Sequence, residues 1–477
     1  MVCLASFALG IMAVAAQSGG LNLEAEQNWD TYGVGGTCVY GTQNIFVGDL
    51  DGDGASEIMT GGFAYHITQN NTRTVSEAPL KVWTWNGQNV TLKASTSWNG
   101  TIYCLYAADV DQDGKVDILC GGSFRNETGN STSSLRVLNL NNGLLNLEAH
   151  YEGIRVNSIF VSDVDKDGTN DLLTVGRSVS NSSQLSIWHI EGNELTLVNS
   201  LPLEEANITS ANTVYASDLD NDGTVEIMVG GYADSLSNSK GLVSLWRWNG
   251  QELKLETVKT WQLAEGSAKT IAGGVQGNTV VYNVKAADLD KDGKKEMVTA
   301  GSTFDGVNVN GEIKVWRWNG SGLMELASQI WATDYMTEAK SIALNDVNGD
   351  GKVEIMESGI AAAEGSFNNP EGIHDRGELK VFSYNGTSIV LEESKAWTFD
   401  EGACAWNVGS GDVDNDGVAE IITVGCSALK GQCDPDMRIW SLPVKQQAYP
   451  NYLPYAIAGL LIFAGTSSIV YVYLRRK

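Results

Sequence analysis

Asp49-Leu50-Asp51-Gly52-Asp53-Gly54-Ala55-Ser56-Glu57-Ile58 decides the fold, because the chain repeats that phrase seven times. The other copies begin at Asp109, Asp163, Asp218, Asp288, Asp346 and Asp412 and read DVDQDGKVDI, DVDKDGTNDL, DLDNDGTVEI, DLDKDGKKEM, DVNGDGKVEI and DVDNDGVAEI. With the first Asp as position 1, acids or Asn stand at positions 1, 3 and 5, Gly at 6 and an acid at 9. Position 2 is Leu or Val, and position 10 is Ile, Leu or Met. A Gly always follows 13 residues after the first Asp, at Gly62, Gly122, Gly176, Gly231, Gly301, Gly359 and Gly425. The starts lie 54 to 70 residues apart, which is the spacing of a repeat architecture.

The flanks of each phrase read as strands. Asn44-Ile45-Phe46-Val47 alternates before the first copy, and Glu226-Ile227-Met228-Val229 is β-rich within and after the fourth. A polar loop of variable length follows, then a hairpin signature such as Lys81-Val82-Trp83-Thr84-Trp85-Asn86-Gly87 or Leu245-Trp246-Arg247-Trp248-Asn249-Gly250. Asn-Gly recurs at 142–143, 319–320 and 385–386, with Glu191-Gly192 in its place once, and predicts type I′ turns with two positive-φ residues. A fourth strand such as Leu253–Glu256 completes the unit. Each repeat is therefore a four-stranded antiparallel meander, the pattern of a propeller blade. The fold expected is all-β: a seven-bladed β-propeller over residues 20–444. Residues 21–29 read as a lone fourth strand that closes the last blade, whose third strand is Met437–Trp440. A small residue or Asn before position 1 (Gly48, Ala108, Ser162, Ser217, Ala287, Asn345, Gly411) suits strands converging on a crowded axis. The Trp pairs of the third strands (Trp83/Trp85, Trp246/Trp248, Trp316/Trp318) read as packing between blades rather than sugar platforms.

Closely spaced carboxylates repel one another, so a tight turn that gathers four of them calls for a cation. Hard oxygen donors in an irregular loop suit Ca²⁺, whereas Mg²⁺ prefers a stricter octahedron and retained waters. Gly at position 6 permits the sharp turn, and position 7 would add a main-chain carbonyl. An EF-hand also needs a bidentate Glu at position 12 and flanking helices. Position 12 is Thr60, Cys120, Thr174, Val229, Thr299, Glu357 and Thr423, so only the sixth copy fits, and its flanks read as strands.

The phrase resembles the FG-GAP/VCBS repeat family, including the calcium-bearing blades of integrin α-subunit propellers. The resemblance spans nearly all of residues 20–444 and implies up to seven structural Ca²⁺ ions. The ligands it implies are Asp49, Asp51, Asp53 and Glu57 in the first blade and Asp109, Asp111, Asp113 and Asp117 in the second. The third offers Asp163, Asp165, Asp167 and Asp171, and the fourth Asp218, Asp220, Asp222 and Glu226. The fifth offers Asp288, Asp290, Asp292 and Glu296, and the seventh Asp412, Asp414, Asp416 and Glu420. The sixth departs from the pattern, with Asn348 among Asp346, Asp350 and Glu354, and is expected to hold its ion more weakly. The other reading is solvated acidic turns without metal, but the identical spacing favours ligation. Recurrence in every blade favours a structural over a catalytic ion.

Charge follows from those loops. The 477 residues carry 31 Lys+Arg against 58 Asp+Glu, a net charge of −27. Six loops hold four carboxylates and one holds three, so the loop acids equal the excess in number and leave a near-neutral scaffold. Such a chain repels phosphate, which excludes nucleic acid as a partner class. The 43% hydrophobic content and 14 Trp exclude global disorder.

The ends and cysteines suggest a compartment. Residues 1–16 read as a signal peptide ending Met12-Ala13-Val14-Ala15-Ala16, although no Lys or Arg precedes Arg73. Residues 445–454 read as a linker and 475–477 as a basic cytoplasmic tail. The 20 residues Tyr455–Leu474 are uncharged and long enough, at about 1.5 Å each, to span a bilayer as a helix. Nine sequons (Asn70, Asn89, Asn99, Asn126, Asn130, Asn181, Asn207, Asn319, Asn385) agree with a glycosylated exterior. Spacing favours disulfides Cys104–Cys120 and Cys426–Cys433, leaving Cys38–Cys404, against the alternative of buried free thiols.

No catalytic constellation stands out among the four His (His66, His150, His189, His374), and no metalloprotease, nucleophile-elbow or P-loop motif occurs. His374-Asp375 reads as surface polarity in a long loop. The expectation is a non-enzyme: a cell-surface, single-pass protein whose calcium-binding propeller serves ligand binding or adhesion toward an extracellular protein or polysaccharide. The alternatives are a secreted-type carbohydrate- or lipid-active enzyme, or a structural cell-envelope protein.

Overall fold

The computed structural model describes residues 20–28, 37–67, 73–125, 130–178, 182–192, 194–204, 206–233, 239–264, 279–362, 375–398, 402–429 and 432–445. The expected signal peptide, the transmembrane span 455–474, the tail and most of the linker lie outside these residues. Among the described residues no helix is long and apolar enough to cross a membrane. The described secondary structure is all β-strand.

Pairing groups the strands into seven antiparallel units of four. Unit 1 runs from Thr37–Gly48 through Glu57–Ile67 and Arg73–Trp85 into the first half of Val90–Ala108. The second half of that long strand opens unit 2, and Gly100, with φ of 151°, lies at the changeover. Units 3 to 6 begin at Arg155, Ile208, Val280 and Met336. Unit 7 contributes Gly402–Gly411, Glu420–Leu429 and Gln432–Ser441, and its fourth strand is Asn22–Asn28. That N-terminal strand lies antiparallel on Gln432–Ser441, from Asn22 opposite Ser441 to Asn28 opposite Asp436. It covers the edge that the last three strands would leave open.

Second strands are covered on both faces: every residue of Glu226–Ala233, Glu296–Phe304 and Glu354–Ala362 is buried. The recurring Gly at +13 lies opposite a bulge in each first strand, such as the shift between Ala405 and Asn407. An added Cβ would sit 1.8 Å from Cys404 O at Gly425 and 1.9 Å from Val280 O at Gly301. Close approach of backbone, not a special φ, requires this glycine.

First strands neighbour one another in chain order: unit 1 with 2, 2 with 3, and so on to 7, and the first strand of unit 7 also touches that of unit 1. Polar side chains clasp successive strands. Asn44 Nδ2 donates to Ile102 O, Asn157 Nδ2 to Ala211 O and Asn212 Nδ2 to Val281 O, at 3.3, 2.8 and 2.9 Å. Ser341 Oγ continues the series by donating to Asn407 Oδ1 at 2.7 Å. All seven first strands line one cavity of about 560 Å³.

The outer contacts are aromatic. Trp261 packs on Trp316, Trp331 on Phe382 and Trp397 on Trp440, each joining a fourth strand to the third strand of the next unit. Trp83, Trp85, Trp246, Trp248, Trp316 and Trp318 are buried, which places the Trp pairs in packing.

Two expectations change. The Asn-Gly turns are type I′ only at Asn142-Gly143, where both residues have positive φ. Elsewhere the loop holds four residues, as between the paired Trp248 and Leu253, and only the Gly has positive φ. The Asn side chain makes the turn instead: Asn249 Oδ1 accepts from the N–H groups of Gln251 and Glu252, and Asn86, Asn319 and Asn385 do the same. The expected Cys104–Cys120 disulfide is also absent among the described residues. Cys404 and Cys426 are thiols that stand opposite each other on adjacent strands with their Sγ atoms 2.7 Å apart. Cys104 and Cys120 are buried thiols, and Cys104 faces Gly121 rather than Cys120. The side chains of Cys38 and Cys433 lie outside the described residues.

Candidate metal-binding loops

Each acidic phrase joins the first and second strands of its unit. Its ends are pinned by apolar anchors: position 2 (Leu50, Leu219, Val347) and position 10 (Ile58, Ile227, Ile355) are buried, as are their counterparts in every loop. Between them the chain twice enters the left-handed region. Position 6 is always Gly, with φ between 80° and 96°, and an added Cβ at Gly54, Gly114, Gly168, Gly223, Gly293 or Gly417 would meet no described atom within 4 Å. There the φ requires glycine, not the space. Position 4 is also left-handed, at Gly52, Gln112, Lys166, Asn221, Lys291, Gly349 and Asn415. The sequence gives no single residue type there, so this feature was not legible in it.

One hydrogen-bonding scheme recurs in all seven loops. Position 1 accepts the position 6 N–H through Oδ2, as Asp218 does from Gly223 at 2.9 Å. Position 5 accepts the position 7 N–H, as Asp222 does from Thr224 at 2.7 Å. Position 9 reaches back to the position 2 N–H with one oxygen, as Glu226 Oε2 does to Leu219 at 2.9 Å. These bonds aim the remaining carboxylate oxygens at one another.

The arrangement gathers most of the predicted ligands. Ligand atoms lie within 4.8 Å of one another in Asp49/Asp51/Asp53, Asp109/Asp111/Asp117, Asp163/Asp165/Asp171, Asp218/Asp220/Asp222 and Asp288/Asp290/Glu296. Glu57, Asp113, Asp167, Glu226 and Asp292 stand outside these closest triplets but belong to the same loops by the shared bonds. In the sixth loop Asn348 donates to Glu354 Oε1 at 2.7 Å, and Glu354 Oε2 accepts from Val347. The seventh loop, Asp412, Asp414, Asp416 and Glu420, follows the common scheme.

Electrostatics say what these loops lack. The position 9 acids are buried, and burial pushes Asp117 up to about 6 and Glu354 and Glu420 up to about 7. Burial raises Glu57, Asp171, Glu226 and Glu296 as well. Asp109 Oδ1, Asp163 Oδ1, Asp220 Oδ1 and Asp346 Oδ1 are buried with no hydrogen-bond partner among the described residues. An unpartnered buried carboxylate oxygen is costly, and a divalent cation would satisfy it. The donor set is oxygen only, which suits a hard cation. These residues therefore fit a metal ion, which would supply neutralising charge and bind the two strand ends together.

Basic side chains enter some of these loops, which sequence reasoning missed. Lys93 Nζ lies 2.6 Å from Asp51 Oδ2 and 2.7 Å from Glu57 Oε1. Arg247 contacts Asp222 and Glu226, and Arg317 contacts Asp290, Asp292 and Glu296. His189 Nε2 lies 3.0 Å from Asp171 Oδ1. The available signal was the middle residue of the Trp-Arg-Trp hairpins, which projects to the loop side while the two Trp are buried. Asp375 is described, but its expected neighbour His374 is not.

The comparisons with known proteins agree in part. The FG-GAP-like repeat family matches residues 163–229 and 288–356, so the chain carries FG-GAP-like repeats at these two places. A crystal structure of Sqt1 from Chaetomium thermophilum is similar over 88% of this chain and 100% of that chain, at 13% identity and a TM-score of 0.43. A search of curated proteins returned no match.

Proposed function

Because the chain carries FG-GAP-like repeats, we propose that it is a calcium-braced, seven-bladed β-propeller that works as an extracellular ligand-binding or adhesion module. The observation that carries this reading is the single hydrogen-bonding scheme common to seven loops, with buried carboxylate oxygens left unsatisfied in four of them. Ca²⁺ is the ion the oxygen-only, irregular donor set suits best. A closed ring is supported by contact between the first strands of units 7 and 1. The Gly87 turn of unit 1 also lies against Asp414 of unit 7, where an added Cβ would be 3.1 Å from Oδ2. The fourth loop and the turn between the third and fourth strands of the fifth unit meet in the same way, at Asp220 and Gly320.

In this reading the ions hold the ring rigid and the loops opposite them bind the partner. Those connections, read from the sequence at 63–79, 123–134, 177–183, 232–241, 263–280, 302–311 and 360–377, vary most between repeats; strands extend into their ends, as at 63–67 and 73–79, and they lie partly outside the described residues. Residues 1–16 as a signal peptide and 455–474 as a single anchor would put the propeller at the cell surface, with an extracellular protein or polysaccharide as ligand. An array of extracellular proteins and polysaccharides, probed with and without Ca²⁺, tests the function. Calcium-dependent retention of a ligand supports it. Turnover of a substrate on the array would replace it with an enzyme, and no retention at all would favour a purely structural envelope protein.

A further inference from the structure

Seven copies of one loop in one chain form an internal comparison, and what differs among them lies outside the acidic phrase. Two positions face each loop from its own unit. The first is the middle residue of the third-strand hairpin signature: Thr84, Asn139, His189, Arg247, Arg317, Ser383 and Ser441 in units 1 to 7. The second is the bulged residue of the fourth strand, where the register slips: Lys93, Glu148, Val198, Glu256, Leu326, Glu392 and, in the closing N-terminal strand, Glu24.

The two positions set opposite charges at different loops. In units 1, 4 and 5 they deliver a cation among the carboxylates. Arg317 Nη1 is 2.7 Å from Asp292 Oδ2 and Nη2 is 3.0 Å from Asp290 Oδ2, and the same group contacts Glu296. Lys93 bridges Asp51 and Glu57 of the first loop, and Arg247 holds Glu226 and Asp222 of the fourth. In units 2, 6 and 7 they deliver another acid. The middle residue is Asn or Ser and donates to the bulged Glu: Asn139 to Glu148, Ser383 to Glu392 at 2.6 Å, and Ser441 to Glu24 at 2.6 Å. Glu392 lines one small cavity together with Asn348 and Glu354 of the sixth loop. Unit 3 falls between, with His189 on Asp171 and an apolar Val198.

From this pattern we propose that the hairpin-centre and bulge residues rank the loops for divalent cation: loops 2, 6 and 7 bind first, and loops 1, 4 and 5 bind last because Lys93, Arg247 and Arg317 already stand among their carboxylates. The inference rests on the reading of the loops as metal sites. A divalent ion entering loop 5 must displace a guanidinium from three carboxylates, whereas at loops 2, 6 and 7 these two positions present a Glu and no cation; the bases nearby are exposed side chains at the rim, Lys115 on Asp113 of loop 2 and Lys445 on Glu392 of unit 6. Glu392 stands beside Asn348 and Glu354 of loop 6, although it also pairs with exposed Lys445 at 3.5 Å, and its charge counters the expectation that the sixth loop holds its ion more weakly.

The test is equilibrium dialysis of the full chain against radioactive Ca²⁺ over a wide range of free concentration, repeated with Arg317→Ser, Lys93→Ser and Glu148→Lys. The wild-type isotherm should resolve into at least two classes, three ions saturating before the rest. Arg317→Ser and Lys93→Ser should each move one ion from the weak to the tight class, and Glu148→Lys should move one the other way. Seven equivalent sites, or isotherms unchanged by all three substitutions, would overturn the ranking while leaving the metal reading intact. Absence of any bound Ca²⁺ would overturn the metal reading itself. Melting of each variant in Ca²⁺ and in chelator checks the fold: Arg317→Ser should be less stable than wild type only in chelator. Equal destabilisation in both conditions would make Arg317 a purely structural side chain.

Discussion

Trp331 Nε1 donates to Glu378 Oε1 at 3.1 Å, fastening the last residue of the unit 5 fourth strand to the third strand of unit 6. Thr333 donates to the other Glu378 oxygen, Lys380 pairs with the same carboxylate, and the Trp331 ring packs on Phe382. Trp261 repeats the bond one unit earlier, to Glu312 Oε2 at 2.6 Å. Trp331→Phe keeps the ring and removes the donor, so it should cost about 1–2 kcal/mol. Trp331→Ala removes the packing as well and should cost about 3–5 kcal/mol. Urea unfolding of both variants checks this, and equal losses would mean that the ring contributes nothing.

Glu357 is a misfit in its own repeat. In four other units a Thr at this position accepts from a third-strand Trp indole: Thr60 from Trp83, Thr174 from Trp188, Thr299 from Trp316 and Thr423 from Trp440. Unit 6 has Phe382 in place of the Trp, and both Glu357 oxygens are buried without a hydrogen-bond partner among the described residues. Burial, and then the neighbouring Glu378, hold its carboxyl well above the ordinary range, with Lys380 opposing. The folded state therefore binds this proton more tightly than the unfolded one, and the cost of ionising Glu357 is absent in acid and full above its folded pKa. Glu357→Thr should raise stability at neutral pH by about 1–3 kcal/mol. Melting temperatures from pH 4.5 to 8 in saturating Ca²⁺ should fall less steeply for the variant; parallel slopes would count against the assignment.

Cys404 and Cys426 should be the first cysteines to link under mild oxidation. Their Sγ atoms are 2.7 Å apart across paired strands. Exchange with glutathione disulfide would form the S–S bond and release two glutathione thiols. Peptide mapping after alkylation should recover a Cys404–Cys426 crosslink, with Cys104 and Cys120 alkylated only after unfolding because both are buried. Recovery of Cys104–Cys120 instead would contradict the structure.

Gly425→Ala should destabilise by about 1–3 kcal/mol or more, because its Cβ would collide with Cys404 O. Gly386→Ala meets no neighbouring atom and should suffer only from its φ of 85°, about 1 kcal/mol. Comparing the two by chemical denaturation separates close approach from backbone conformation.

The strands, the four-stranded units and the acidic loops were legible because each is written seven times, and repetition removes the ambiguity of any one copy. The pairing of Asn22–Asn28 with the last unit was legible because a fourth-strand phrase stood without its first three. The turns were misread because Asn-Gly serves two geometries, and only the distance to the next paired residue separates a two-residue loop from a four-residue loop. The Cys104–Cys120 pair was misread because sequence spacing ignores strand register, which sets Cys104 opposite Gly121. Lys93, Arg247 and Arg317 were missed because a bulge and a hairpin centre direct them to the loops, and neither feature is part of the acidic phrase.

The central claim is that cations hold the seven loops folded. Thermal melting of the full chain in saturating Ca²⁺ and in excess chelator tests it most directly. An ion that binds only the folded state adds about 2.7 kcal/mol per site at a hundredfold excess over its Kd, so several occupied loops should raise the melting temperature sharply. The account predicts a large, reversible loss of that stability in chelator. Superimposable melting curves in the two conditions would contradict it.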